Sequence, residues 1–108
     1  MSSDADRRRV QAYQYRLSQE TPGTSSYESA LHSLENAKSH LAHSLFNDGL
    51  NEKSKAKIDE AFTLMKAWIQ YLGTHLTDDP SNPMLFRVEM ENLGEWSLRL
   101  SKEGWYRR

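Results

Sequence analysis

From Ile58 onward, apolar side chains return every three or four residues, at Ala61, Phe62, Met65, Ile69, Leu72 and Leu76, which lines them along one stripe of a helix. A stripe that long and regular is stable in water only when other apolar surface covers it, so the chain must supply further helices with matching faces. Two stretches do so. One, starting near Ser26, carries Tyr27, Leu31, Leu34, Leu41, Ala42 and Leu45 at helical spacing. His32, Glu35, Asn36, Ser39, His40 and His43 fall on its other side. The other starts at Asn82 and turns Phe86, Met90, Leu93, Trp96 and Leu100 inward. A fourth stretch, Asp4 to Gln19, aligns only Val10, Tyr13 and Leu17 and is rich in arginine, so it reads as an arm rather than a core element. No β-type alternation, internal repeat or low-complexity tract interrupts the pattern.

The breaks follow from local chemistry. Glu20 to Ser26 gathers Pro22, Gly23, threonines and serines, which favour turns over helix. Ser25 with Glu28 three residues later has the form of a capping box, opening a second helix that runs to about Asn47. Asn47, Asp48 and Gly49 then read as a helix stop, with Asn51 as the N-cap of the third helix. That helix ends between Gly73 and Asp78, before a segment holding Pro80 and Pro83. Asn82 followed by Pro83 opens the fourth, which frays before Gly104. Short connections favour antiparallel neighbours. The expectation is therefore an all-α, antiparallel bundle of three long helices plus an N-terminal helix or arm. It forms a single domain over 1–108: helix or arm and linker to residue 24, bundle over 25–103, tail over 104–108.

Composition narrows function mainly by exclusion. Fourteen Lys and Arg against fifteen Asp and Glu give a net charge of -1, with no global attraction for nucleic acid or anionic membrane. The absence of cysteine removes disulfides, thiolate catalysis and thiolate metal sites, and fits a reducing compartment, so the cytoplasm is expected. The polar N-terminus lacks the apolar core of a secretory signal. No run approaches the roughly 18 apolar residues of a membrane span.

Candidate chemistry is sparse. His40 and His43 are three apart and His32 shares roughly their face, but no second metal-ligand motif joins them, so no metal and no cofactor are expected. Asp59, Glu60, Glu89, Glu91 and Glu95 sit beside lysines and arginines that pair with such residues. Arg99 has no histidine downstream, which excludes the Arg-and-His ribonuclease pattern. No glycine-rich phosphate loop is present, and an enzyme is not expected. Arg7 to Arg9 with Tyr13 and Tyr15, and the Trp105 to Arg108 tail, mix cation and aromatic as single-strand binders do. A small nucleic-acid-binding regulator is therefore an alternative reading.

The stronger signal is apolar surplus. Leu64, Trp68 and Tyr71 form a second edge beside the main stripe of the third helix, and Leu85 and Val88 widen that of the fourth. Such an edge either broadens the core, with the N-terminal arm covering it, or, together with Tyr13, receives a helix or extended segment from another protein. A structural homodimer, packing the same edge on its symmetry mate, is the other reading.

The order of Ala12-Tyr13, Ser26, Gly49, Ile58, Ala61, Phe62, Leu64, Met65, Ile69 and Asn92-Leu93 resembles the landmarks of the flagellin export chaperones. Tyr27 stands where that family has a proline, its Leu-Tyr-Asp-Gly stretch is absent, and the second helix reads about one turn short. The resemblance implies a cytoplasmic antiparallel bundle that holds the disordered end of an export substrate, without catalysis.

Overall fold

In the computed structural model, which describes residues 2–106, the backbone forms four α-helices: α1 Ser2–Ser18, α2 Ser25–Glu52, α3 Lys55–Thr74 and α4 Asn82–Lys102. No strand occurs among the described residues. No helix among them is long and apolar enough to cross a membrane. The chain divides into two compact units, residues 1–68 and 69–108.

In the first unit the pairing of helices is read from side-chain partners. Asp48 on α2 accepts a hydrogen bond from Ser3 on α1, and Asp6 on α1 accepts one from Ser44 on α2. Rising residue numbers on α1 thus meet falling numbers on α2, and the two run antiparallel. The same holds for α2 and α3: Ile58 packs on Gly49, Phe62 meets Phe46 edge-on at 6.2 Å, and Trp68 lies against His32. α1 reaches α3 through a two-pronged contact from Arg7 to Glu60, at 3.0 and 2.9 Å. Hydrogen bonding to Glu60 raises the Arg7 guanidinium further above its ordinary value, and the charge of that carboxylate adds to the effect. Both groups are about two-fifths exposed, so the pair orients α1 more than it stabilises the fold.

Leu34, Leu41, Ala42, Leu45, Phe46, Ile58, Ala61, Met65 and Trp68 are buried, as is Val10 of α1. Tyr13 and Leu17, the rest of the expected α1 stripe, are half-buried. Ser39, expected on the solvent side of α2, is buried and satisfies its hydroxyl on the Asn36 carbonyl at 2.6 Å.

Several helix boundaries differ from the expected ones. The N-cap of α2 is Thr24, not Ser25: its hydroxyl accepts the Tyr27 amide at 3.1 Å and donates to the Thr21 carbonyl at 2.7 Å. α2 also continues through Asn47, Asp48 and Gly49 to Glu52, making 28 residues instead of a helix one turn short. Its close lies at Lys53, in the left-handed region at φ 55°, with the Lys53 and Ser54 amides both donating to the Gly49 carbonyl. Asn51 is therefore inside α2, and the side chain at the start of α3 is Ser54, whose hydroxyl accepts the Lys57 amide at 3.3 Å.

The second unit holds the end of α3, the connection, and α4. The Phe86 ring lies where a Cβ on Gly73 would meet it at 3.2 Å, so the lack of a side chain at Gly73 lets the ring lie close to the helix backbone. Asn82, expected as the N-cap of α4, is its first residue instead and Ser81 takes the cap position. The Asn82 side chain is buried and its amide donates to the His75 carbonyl at 2.7 Å, which ties the two ends of the connection together. Asp79 organises the turn by accepting from both the amide and the hydroxyl of Ser81, at 2.8 and 2.7 Å.

Trp96 and Leu100 are buried as expected, and Phe86 and Leu93 are half-buried. Met90 is not inward: it is 50% exposed, and Glu89 is buried in its stead, with its carboxylate accepting the Asn92 side-chain amide at 2.8 Å. Leu76 lies beyond the end of α3 and is exposed. α4 does not fray at its end. Gly104, at φ 80°, takes the left-handed position; its amide donates to the Ser101 carbonyl and that of Trp105 to the Leu100 carbonyl.

Candidate functional site

The six residues expected to meet a partner are distributed unevenly. Trp68 is 1% exposed, one of the largest fully buried side chains, with its ring 6.2 Å from that of His32. It belongs to the core, not to a free edge, because the α3 stripe is wide enough to bury it together with Met65. Leu64 is half-buried in the first unit, and Tyr13 is half-buried on α1. In the second unit Tyr71 is half-buried and stacks on His75 at 4.0 Å and 18°. Leu85 is half-buried and Val88 is 43% exposed.

Only Val88 among the six is presented openly, and it has company that sequence reading missed. Met84, Val88, Glu91, Glu95 and Leu98 recur at spacings of four, three, four and three, so they form one continuous seam on α4, and all five are exposed. Met84 is 63% and Leu98 55% exposed. The seam spans about 21 Å at 1.5 Å per residue. It lies opposite the face that buries Glu89, Trp96 and Leu100. The signal was present in the sequence, since Leu98 falls outside the inward stripe, but an isolated exposed leucine carries little weight until the seam is complete.

A second feature lies wholly in the first unit. Arg9 and Tyr13, one turn apart on α1, face His32, Ser33, Asn36, Ala37 and His40 on α2 across a surface cleft of 420 Å³. The buried Ala37 is the small residue at its floor. Arg9 contacts Asp6 through one nitrogen at a long 3.4 Å, while the other Asp6 oxygen is taken by Ser44. A neighbouring cleft of 430 Å³, lined by Leu17, Pro22, Tyr27 and Leu34 together with Gln14, Ser18 and Glu20, is more apolar.

Among the described residues no group of three or more His, Cys, Asp or Glu is placed to hold a metal ion. The basic C-terminal cluster is only partly placed: Trp105 is half-buried and Tyr106 exposed, while Arg107 and Arg108 lie outside the described residues, as does Met1. Comparisons with protein-family models, with curated proteins and with solved structures find no match to this chain.

Proposed function

We propose that this protein is a non-enzymatic binding module, adaptor- or chaperone-like, which captures an amphipathic helix of another protein along the outer seam of α4. The observation that carries this reading is the unbroken 4-3-4-3 run of exposed positions from Met84 to Leu98, with apolar residues at both ends and Glu91 and Glu95 between them. Exposed apolar residues in heptad-like register offer knobs for a partner helix, and large flexible methionine and leucine anchors suit a segment that folds as it binds.

The charge order selects the occupant. Pairing two copies of α4 along this seam would set Glu91 against Glu91 and Glu95 against Glu95 when parallel in register, and Glu91 against Glu91 with Glu95 against Val88 when antiparallel about its centre, so that like charges repel in both and the second also covers a carboxylate with an apolar side chain. A heterologous helix with apolar ends and a Lys- or Arg-bearing centre satisfies both halves of the pattern. This favours a different protein over a homodimer. It also accommodates the export-chaperone resemblance, in which the captured segment would be the disordered end of a substrate. The antiparallel course of α1, α2 and α3 supports the bundle architecture this reading assumes, and the cysteine-free composition supports a reducing compartment such as the cytoplasm.

The test is a photo-crosslinking residue placed at Leu98 and, as a control, at the exposed Lys66 of α3. A dominant adduct with one protein from Leu98, absent from Lys66, is expected. The double substitution Met84→Glu, Leu98→Glu should then weaken binding of that protein by roughly 100-fold while changing stability by no more than about 0.5 kcal/mol per site. Equal adducts from both positions, or a stable dimer of the isolated chain by light scattering, would sink the reading.

A further inference from the structure

Beyond the α4 seam, we infer that the α1–α2 cleft is a binding site for a phosphate monoester carrying a ring, of the size and kind of a mononucleotide. Arg9 with its guanidinium, Tyr13 with its phenol, His40 with its imidazole and Asn36 with its side-chain amide line one cleft, and no carboxylate-bearing residue is among those lining it. A wall that offers several hydrogen-bond donors and the Arg9 cation, met by only one long contact from the Asp6 carboxylate, is complementary to an oxyanion. A phosphate monoester, with two charges near neutrality and three free oxygens, matches that donor number better than a carboxylate does.

Arg9 is positioned for such a role. Its side chain is 55% exposed, and its ion pair with Asp6 is a single 3.4 Å contact. That leaves the paired N–H groups of the guanidinium fork for two oxygens of one ligand. Asp6 is held elsewhere by the Ser44 hydroxyl, which limits its competition for Arg9.

Volume sets the rest of the ligand. At 420 Å³ the cleft falls within the roughly 300–1,000 Å³ of small-molecule sites and exceeds what a bare phosphate fills. The aromatic rings of Tyr13 and the exposed His40 among the lining residues are of the kind on which a base or sugar stacks. Because the walls come from two helices, the ligand would also bridge α1 to α2. Its binding must therefore raise the melting temperature of the chain by mass action.

The experiment titrates the full chain with adenosine 5′-monophosphate, inorganic phosphate and adenosine, following the imidazole resonances of the four histidines and the melting temperature. Saturable shifts of His40 with the monophosphate are expected, with weaker binding of phosphate and none of adenosine. Arg9→Gln should weaken monophosphate binding about tenfold. It should leave the unliganded melting curve unchanged, and Arg16→Gln, on an exposed part of α1 outside the cleft, should bind as the parent does. Unsaturable shifts, equal loss in the two arginine variants, or phosphate binding as tightly as the monophosphate would each overturn the assignment.

Discussion

Replacing Trp68 with alanine is expected to cost about 3–5 kcal/mol of folding stability, the range for truncating a fully buried large aromatic side chain. Trp68 is 1% exposed and, like the fully buried Met65 three residues before it, belongs to the core of the first unit, so removing the indole leaves a void and the contacts it made are lost. Against a total stability on the order of 5–15 kcal/mol for a chain of this class, such a loss leaves the variant at the edge of unfolding. Thermal or urea unfolding followed by circular dichroism measures it. The contrast is Tyr71→Ala, one turn along the same helix: Tyr71 is half-buried and its stacking partner is His75, so about 1 kcal/mol is expected. If Trp68→Ala instead keeps its full melting temperature and loses only a binding partner, the indole is an interface anchor and its burial does not reflect the fold in solution.

That pair of residues illustrates what sequence reading can and cannot resolve. Helical spacing correctly located all four helices and most of the core, because the stripe through Ile58, Ala61, Met65 and Leu72 records which face must leave water. Spacing does not say how wide the buried arc is. Trp68 and Tyr71 sit side by side on the wheel, and only the neighbouring helices decide that one is enclosed and the other half-open. The same holds for Met90 and Glu89. Hydropathy assigned the methionine inward, yet the turn of α4 buries the acid, whose carboxylate accepts from Asn92.

The two candidate sites differ in legibility for a related reason. The α4 seam is local, since all its residues lie on one helix, and its register could be read from positions 84 to 98 once the inward face is known. The α1–α2 cleft is not local. Arg9 and Tyr13 stood out in a basic, aromatic arm, and His32 and His40 stood out as unusual polar-face residues, but on separate elements. The antiparallel docking of α1 on α2, anchored by Ser3 with Asp48 and Asp6 with Ser44, is what brings them to one cleft. A contact made across twenty or more residues has no periodic signature.

The segment around Gly49 makes the same point with a sharper test. Asn47, Asp48 and Gly49 have the composition of a helix terminus, yet two of the three are buried and serve tertiary contacts: Asp48 receives Ser3, and Gly49 receives Ile58. A Cβ on Gly49 would stand 2.8 and 2.9 Å from the Ile58 Cδ1 and Cγ1 atoms and 3.2 Å from its backbone nitrogen. Ile58 is 3% exposed, so its side chain has no solvent to swing into, and its nitrogen is committed to the Ser54 carbonyl at 3.1 Å. Helix propensity alone favours alanine over glycine by about 1 kcal/mol, whereas forcing an extra group into a packed core costs about 1–3 kcal/mol. Steric cost prevails here: Gly49→Ala is expected to destabilise by about 1–2 kcal/mol, and Gly49→Val by about 3 kcal/mol or more. Gly94 on α4 is the internal reference, because nothing lies within 4 Å of the Cβ it lacks. Gly94→Ala should accordingly gain about 1 kcal/mol, the opposite sign for the same substitution. A double-mutant cycle identifies the cause. In an Ile58→Ala background the penalty of Gly49→Ala should shrink or reverse, since the colliding methyl and methylene groups are gone. An undiminished penalty would mean that the backbone approach of α2 and α3, not the isoleucine side chain, dictates glycine at this position.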